Sequence, residues 1–281
     1  MMKTRKAVME TYDLIAADFD GTRYKPWPDT IEFSKRFKPG DTVLDLGCGN
    51  GRDLKHFESL GVRVIGLDFS LEQLKVVRAR ARDPPEPLVG DDPRSPASPG
   101  TPAGPLCDDV VQDPARAVSS SGRTGQASEP GEENVQRTSP SSGPMPMLVR
   151  GDVSELPIRD DTADGAILVA TLHHLPTKEG RLRALREARR CLAPGGACLL
   201  GVWATGQDRF EGNIERARTE LGESWEEGDM LLDWKLPDGR VFPRYYHLFS
   251  EEEFSELIST SEFDVERKYF SCDNHYALLI K

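Results

Sequence analysis

Cysteine is scarce and scattered: Cys48, Cys107, Cys191, Cys198 and Cys272 form no C-x-x-C pair. That spacing argues against a self-contained zinc site, and isolated thiols in odd number are expected to stay reduced in a cytoplasmic or nuclear setting. No apolar run approaches the length of a membrane span. The opening MMKTRKAVMETYD is basic but has no apolar core, so no secretory signal is expected. Positive charge is in deficit: 36 Lys and Arg against 47 Asp and Glu give a net charge of −11. Such a balance disfavours nucleic-acid binding by the surface as a whole. Aromatics are absent from residues 83–146, where thirteen of the 21 prolines fall. That segment has too little apolar surface to offset its ordering entropy and is predicted to be a disordered, acidic Pro/Ser/Gly-rich insert. Its ten acidic and four basic residues carry −6 of the −11, which leaves −5 for the remainder and weakens the objection to nucleic acid. Residues 1–82 and 147–281 are expected to form a single domain.

What is present centres on Val43 to Gly51, VLDLGCGNG. An apolar strand runs into a glycine-rich turn and then a helix, the nucleotide-binding opening of a doubly wound α/β sheet. Gly47 and Gly49 allow a sharp turn and the close approach of a ligand. The dinucleotide fingerprint would need a further glycine where Arg52 stands. Asp45, inside the strand, disfavours a pyrophosphate and suits a ligand with ammonium or sulfonium charge, such as S-adenosylmethionine. The stretch resembles motif I of class I S-adenosylmethionine-dependent methyltransferases; a dinucleotide fold is the alternative.

The prelude carries a helical stripe, Val8, Tyr12, Ile15 and Phe19, followed by TRYKPWP. That basic, aromatic and proline-stiffened segment reads either as a structural turn seating Trp27 on the core or as a lid over the cofactor. In the second reading Arg23 would pair with the cofactor's carboxylate. Asp68, about twenty residues beyond the glycines, is placed to accept bonds from ribose hydroxyls or to cap the next helix, or both. Leu148 and Val149 begin a short strand, followed by Asp152 and Val153; in class I methyltransferases the acidic residue here lies near the adenine amino group. The fourth strand, Asp164 to Leu172, ends with Ala170, Thr171, His173 and His174 at the edge where ligands bind. One of the two histidines is expected to face the substrate. On the next helix, Arg181, Arg183, Arg186 and Arg190 form either a solvated face or a phosphate-contacting patch. The polar stretch from Ala204 to Pro237 reads as a loop or cap. Beyond it Arg244, Tyr245, Tyr246 and His247 cluster groups able to grip an anion, and Ser250 with Glu253 forms a capping box.

Taken in order, TRYKPWP, VLDLGCGNG, HHL, LAPGG, the stretch Val202 to Gln207, RYYHLF and DNHYALLIK resemble the tRNA wobble-uridine carboxymethyl O-methyltransferases. The resemblance covers the chain except the insert and residues 208–240. It implies the class I Rossmann-like α/β fold, a seven-stranded, mostly parallel sheet with helices on both faces. It also implies esterification of 5-carboxymethyluridine in the tRNA anticodon loop, with S-adenosylmethionine as methyl donor. A small zinc-binding activator protein is the implied partner, pairing with the edge strand at Leu148-Val149. The cofactor residues are then Arg23, Trp27, Asp45, Gly47, Gly49, Asp68, Asp152, Val153 and Ala170, with His174, Arg244, Tyr245 and His247 at the reacting carboxylate. A carboxylate is already ionised at neutral pH and needs no general base, which fits a chain without a catalytic-looking cysteine loop or an Asn-Pro-Pro-Tyr run. A small-molecule methyltransferase of quinone or lipid type shares the glycine turn but does not predict RYYHLF. A non-enzymatic binding module does not predict an intact motif I with Asp68.

Overall fold

The computed structural model describes residues 3–20, 25–82 and 146–281. The expected insert falls almost wholly on residues 83–145, and Arg23 on 21–24, outside those described. The main sheet contains seven strands. In chain order these are β1 (Thr42–Leu46), β2 (Arg63–Asp68), β3 (Met147–Arg150), β4 (Ala163–Val169), β5 (Leu192–Trp203), β8 (Asp264–Ser271) and β9 (Asn274–Ile280). Their spatial order is β3-β2-β1-β4-β5-β9-β8, with β9 antiparallel to both neighbours and the other pairings parallel.

The central strands are apolar because both of their faces are covered. All five residues of β1 are buried, Asp45 included. On one side, Leu44, Leu46, Leu168 and Leu200 pack with Leu185 of α5 (Lys178–Cys191) and Phe254 of α7 (Glu251–Thr260). On the other, Val43, Ile167 and Leu199 pack with Phe33 of α2 (Pro28–Ser34), Phe57 of α3 (Leu54–Ser59) and Leu74 of α4 (Leu71–Arg82). The chain leaves β1 toward β2 and later returns on the opposite side as β4. The crevice between the carboxyl ends of β1 and β4 is therefore the switch point where ligands bind in such sheets. Among the described residues β3, at one edge, pairs with β2 alone, with Met147 exposed and Leu148 and Val149 half-buried.

Three expectations are corrected. Residues 204–237 are not merely a loop: they hold α6 (Glu211–Leu221) and β6 (Asp229–Lys235), the latter paired antiparallel with β7 (Val241–His247). Their sequence hides this because α6 buries only Ala217 and the outer half of β6 is largely exposed. The apolar side of this unit packs on α1 (Arg5–Asp20), where Val8, Tyr12 and Ile15 meet Leu231 and Tyr245. Second, the arginines of α5 are not a free basic patch. Arg181 is buried, Arg190 is paired with Glu187 and Asp160, and Arg186 and Arg189 donate to the carbonyls of Thr260 and Glu262. Those last two carbonyls lie at and just beyond the end of α7, where Ser261 already donates its N–H to the Ile258 carbonyl. Third, Cys48, Cys191 and Cys198 are buried free thiols, but Cys272 is disulfide-bonded, against the expectation of a wholly reduced set.

Candidate active site

The turn after β1 is held by short bonds from both sides. Gly47 and Cys48 donate their N–H groups to Leu67 O at 2.7 and 3.0 Å, and Thr171 Oγ1 donates to Leu46 O at 2.8 Å. Gly47 has φ +87°, and a Cβ there would collide with the Thr171 side chain. Gly49 has φ +52° and open space where a Cβ would stand, a cradle that only glycine leaves unfilled. Asp68 Oδ2 accepts from Gly49 N and its Oδ1 from Ser70 N, each at 2.8 Å. Asp68 thus ties the turn to Ser70, whose own hydroxyl caps α4 by accepting from Gln73 N at 3.2 Å, and burial lifts the Asp68 pKa to about 6.

Asp45 is buried and its Oδ2 has no partner. Burial first, then the charges of Asp53 and Asp68, raise its carboxyl well above the usual range, with Arg52 acting the other way. A buried acid crowded by two others suits a cationic ligand. The orphaned oxygen, the cradle at Gly49 and the acidic Asp68 fit the amino-acid and ribose ends of S-adenosylmethionine. Trp27 packs against the Arg52 guanidinium at 4.4 Å and donates its N–H to Asp53 at 3.4 Å, so it lies at this turn. Ala170, at the end of β4, takes φ +57°, a costly conformation for a residue with a Cβ, and it sits at the crevice. Asp152 accepts from Arg5 at 2.7 Å and from Ser154 N at 2.8 Å, while Val153 beside it is buried.

On the other side of the crevice, β7 sorts the RYYH cluster by strand alternation. Tyr245 and His247 face one way. Tyr245 donates to Asp229 Oδ1 at 2.5 Å, and His247 donates from Nδ1 to Asp229 and from Nε2 to Glu253, both at 2.9 Å. Lys3 Nζ lies 2.7 Å from Asp229 and 3.1 Å from Glu226, and Arg181 bridges Glu226 and Glu253. Burial alone would depress His247, but its two carboxylate partners prevail and its pKa is raised. Glu226, Asp229 and His247 offer three ligand atoms within 4.8 Å of one another, yet Lys3 already supplies the cation.

Arg244 and Tyr246 face the other way. Arg244 is 4% exposed and lies 4.7 Å from the Trp234 ring. Its one hydrogen bond among the described residues runs from Nη1 to the Tyr246 hydroxyl at 2.6 Å, and its Nε is buried with no partner. Tyr246 stacks on Trp203 at 4.7 Å and 11°. His173 and His174 occupy a 3₁₀ turn, and both rings pack on Tyr246. His173 Nδ1 is also an orphan. Burial, followed by the Arg244 charge, takes His174 down to about 3 despite its bond to the Tyr245 carbonyl.

Residues 19–268 match the family model described as a methyltransferase domain. The chain belongs to the methyltransferase family. It is 25% identical to the tRNA (carboxymethyluridine(34)-5-O)-methyltransferase of Schizosaccharomyces pombe, over 98% of this chain and 96% of that one. It is 31% identical to a putative methyltransferase of Encephalitozoon cuniculi, over 90% of this chain and 85% of that one. Among solved structures it shares its fold with a putative methyltransferase of Haloferax volcanii in complex with the Trm112 methyltransferase activator. That match has 16% identity and TM-score 0.51 and covers 96% of each chain.

The geometry also separates what the sequence had grouped. In this methyltransferase Tyr245 and His247 are turned from Arg244 and His174, so the four expected carboxylate ligands divide into two pairs. Two buried polar residues, Tyr12 at the crevice and Gln73 on α4, carry no signal in the sequence. Tyr12 had been read only as part of an apolar stripe, yet its hydroxyl lies 3.0 Å from His174 Nε2. Gln73 is buried with both amide atoms unpaired, and no spacing marks it.

Proposed function

We propose that this methyltransferase esterifies the carboxylate of 5-carboxymethyluridine at the wobble position of tRNA, using S-adenosylmethionine. The observation that carries the substrate class is Arg244: a buried guanidinium with an orphaned Nε and no carboxylate among the described residues within salt-bridge reach. A buried charge without a counter-ion is costly unless a ligand supplies one. The free donors of a guanidinium match a carboxylate in bidentate fashion. The match along nearly the whole length of the fission-yeast protein supports the tRNA nucleoside as the carrier of that carboxylate.

The bound cofactor supplies a methyl group activated by sulfonium. Asp45 would stabilise the positive end of the ligand, Asp68 would accept from its ribose hydroxyls, and the glycine turn would let the ligand come close to the main chain. Trp27 covers that turn, with Asp152 and Val153 on the adenine side and Ala170 at the crevice. Arg244 orients the acceptor carboxylate, and the rings of His173, Trp203 and Tyr246 exclude water around it. No side chain needs to remove a proton, because a carboxylate is ionised at neutral pH. His174, neutral and engaged at both nitrogens, fits that requirement. Rate enhancement then rests on positioning and desolvation, worth roughly 7–11 kcal/mol at best.

For the partner, we infer that an activator of the small zinc-binding kind adds a strand at Leu148-Val149. The outer edge of β3 has no strand beside it among the described residues, and such edges recruit strands. The archaeal neighbour, itself an activator complex, supports this reading.

The decisive test incubates the protein with labelled S-adenosylmethionine, with and without activator, on tRNA bearing 5-carboxymethyluridine and on a small-molecule extract. Methyl ester on the wobble nucleoside by mass spectrometry is expected. Label only in the extract, or none in the presence of activator, would overturn the reading.

A further inference from the structure

We propose that Tyr12, from the N-terminal helix, is a positioning residue of the acceptor site: its hydroxyl closes a one-way hydrogen-bond chain that links Arg244 to His174. This rests on the reading of Arg244 as the carboxylate-binding residue. Four contacts make the chain. Arg244 Nη1 lies 2.6 Å from Tyr246 Oη, and Tyr246 Oη lies 3.4 Å from Tyr12 Oη. Tyr12 Oη lies 3.0 Å from His174 Nε2, and His174 Nδ1 lies 3.2 Å from the Tyr245 carbonyl oxygen.

The direction of every link is set by the two ends. A guanidinium can only donate, and a peptide carbonyl can only accept. The carbonyl therefore takes the Nδ1 proton of His174, which leaves Nε2 of the neutral ring as an acceptor. Tyr12 must donate to it, so the Tyr12 oxygen is free to accept from Tyr246, and Tyr246 in turn accepts from Arg244. Reversing any one link sets two donors or two acceptors against each other. Burial pushes the Tyr12 phenol far above its ordinary range, so it keeps the proton it donates. The Tyr246–Tyr12 link is the longest and is the weak point of the chain.

Two consequences bear on the site. His174 is locked in the Nδ1–H tautomer with its remaining lone pair filled, so it cannot serve as a base. Tyr246 engages Nη1 of Arg244, which leaves Nε and Nη2, the edge that meets a carboxylate side-on. Tyr12 lies 162 residues from His174 and 234 from Tyr246. The helix that precedes the sheet thus supplies part of the acceptor site instead of only packing on it.

Nitrogen-15 NMR of the histidine side chains in the full chain tests this, with His174 assigned by its loss in H174Q. The groups facing His174 are His173 beside it, Tyr12 from α1, and Arg244 and Tyr246 from β7. Wild-type His174 is expected to show a protonated Nδ1, an unprotonated Nε2 and no titration between about pH 5 and 8. In Tyr12→Phe the ring still packs and the Tyr245 carbonyl still holds the Nδ1 proton, but Nε2 loses its donor, so the Nε2 resonance should move to that of an unprotonated nitrogen without a hydrogen bond. Ester formation on tRNA should fall about ten- to hundredfold with cofactor affinity unchanged. An Nε2–H tautomer in the wild type, or unchanged His174 signals in Tyr12→Phe, would overturn the chain. A wild type that shows the expected tautomer but forms no ester on tRNA would overturn the proposed function and leave the chain standing. If Tyr12→Phe fails to fold, the wild-type Nε2 shift decides: a hydrogen-bonded value supports the chain, and the value of a nitrogen without a hydrogen bond overturns it.

Discussion

The two faces of β7 carry the same kinds of residue in opposite electrostatic states. On the Tyr245–His247 face each buried charge is met: Asp229 by Lys3, His247 and Tyr245, and Glu253 by His247 and Arg181. On the Arg244–Tyr246 face a cation is buried against the Trp234 ring and the Tyr246 phenol with no carboxylate beside it among the described residues, and Arg244 Nε and His173 Nδ1 have no partner. Compensated burial holds a fold together, whereas uncompensated burial costs stability and waits for a ligand. The same contrast marks the glycine turn, where Asp45 is the orphaned acid. A buried acid with an orphaned oxygen and a buried cation without a counter-ion among the described residues thus stand on the two sides of the crevice, and they call for different ligands: a cation beside Asp45, an anion beside Arg244.

Substitutions can break that contrast, and the largest effect belongs to the compensated face. His247→Ala leaves Asp229 and Glu253 short of a partner and should cost about 3–5 kcal/mol in urea unfolding. The loss should depend on pH. His247 has a folded pKa above its unfolded value. Its contribution is therefore fully present below about pH 6.5 and fades as pH rises through the folded pKa. A variant equally destabilised at pH 6 and at pH 9 would remove the ion network from the account.

Next comes Arg244→Met, with ester formation down about hundredfold or more, because a charge-assisted bond to the carboxylate is lost. Its melting temperature should hold or rise, since an unmet buried charge is removed. Arg244→Lys should not restore the rate, because an ammonium lacks the planar fork. Full ester formation by either variant would end the case for Arg244 as carboxylate ligand.

Asp68 offers a smaller and graded effect. Burial holds its pKa near 6, so its carboxylate form, the acceptor of ribose hydroxyls, is lost as pH falls below that value. Calorimetry should show S-adenosylmethionine affinity falling by about tenfold per pH unit below pH 6 and level above pH 7. Asp68→Asn should flatten the dependence. The smallest effect is expected at Arg186, which donates to Thr260 O at the end of α7. Arg186→Ala should shift stability by no more than about 0.5 kcal/mol and leave tRNA affinity intact. A clear loss of tRNA binding would revive the phosphate-patch reading of α5.

Much of the site was legible because it is local. The strand, turn and helix around VLDLGCGNG are specified by residues within a few positions of one another, and Asp68 follows at a fixed interval along the next strand. The stripe of α1 was legible by its helical period. The unit formed by α6 and β6 was not. Its polar residues face outward, and its apolar ones find partners on α1, some 200 residues earlier. The arginines of α5 misled for a related reason. Arg186 and Arg189 donate to carbonyls near Thr260, which no side-chain pattern announces, and Arg181 meets Glu226 and Glu253 from distant segments.

The sequence by itself determined the sheet's nucleus, the class of cofactor turn and the family, since each is written in short runs whose geometry follows from neighbouring residues. Tertiary structure alone decided how Arg244, Tyr245, Tyr246 and His247 divide between the two faces of β7. A strand sends alternate side chains to opposite faces, and only the packing of β7 against α1, α7 and the 3₁₀ turn at His174 determines which face is charge-balanced and which is left open.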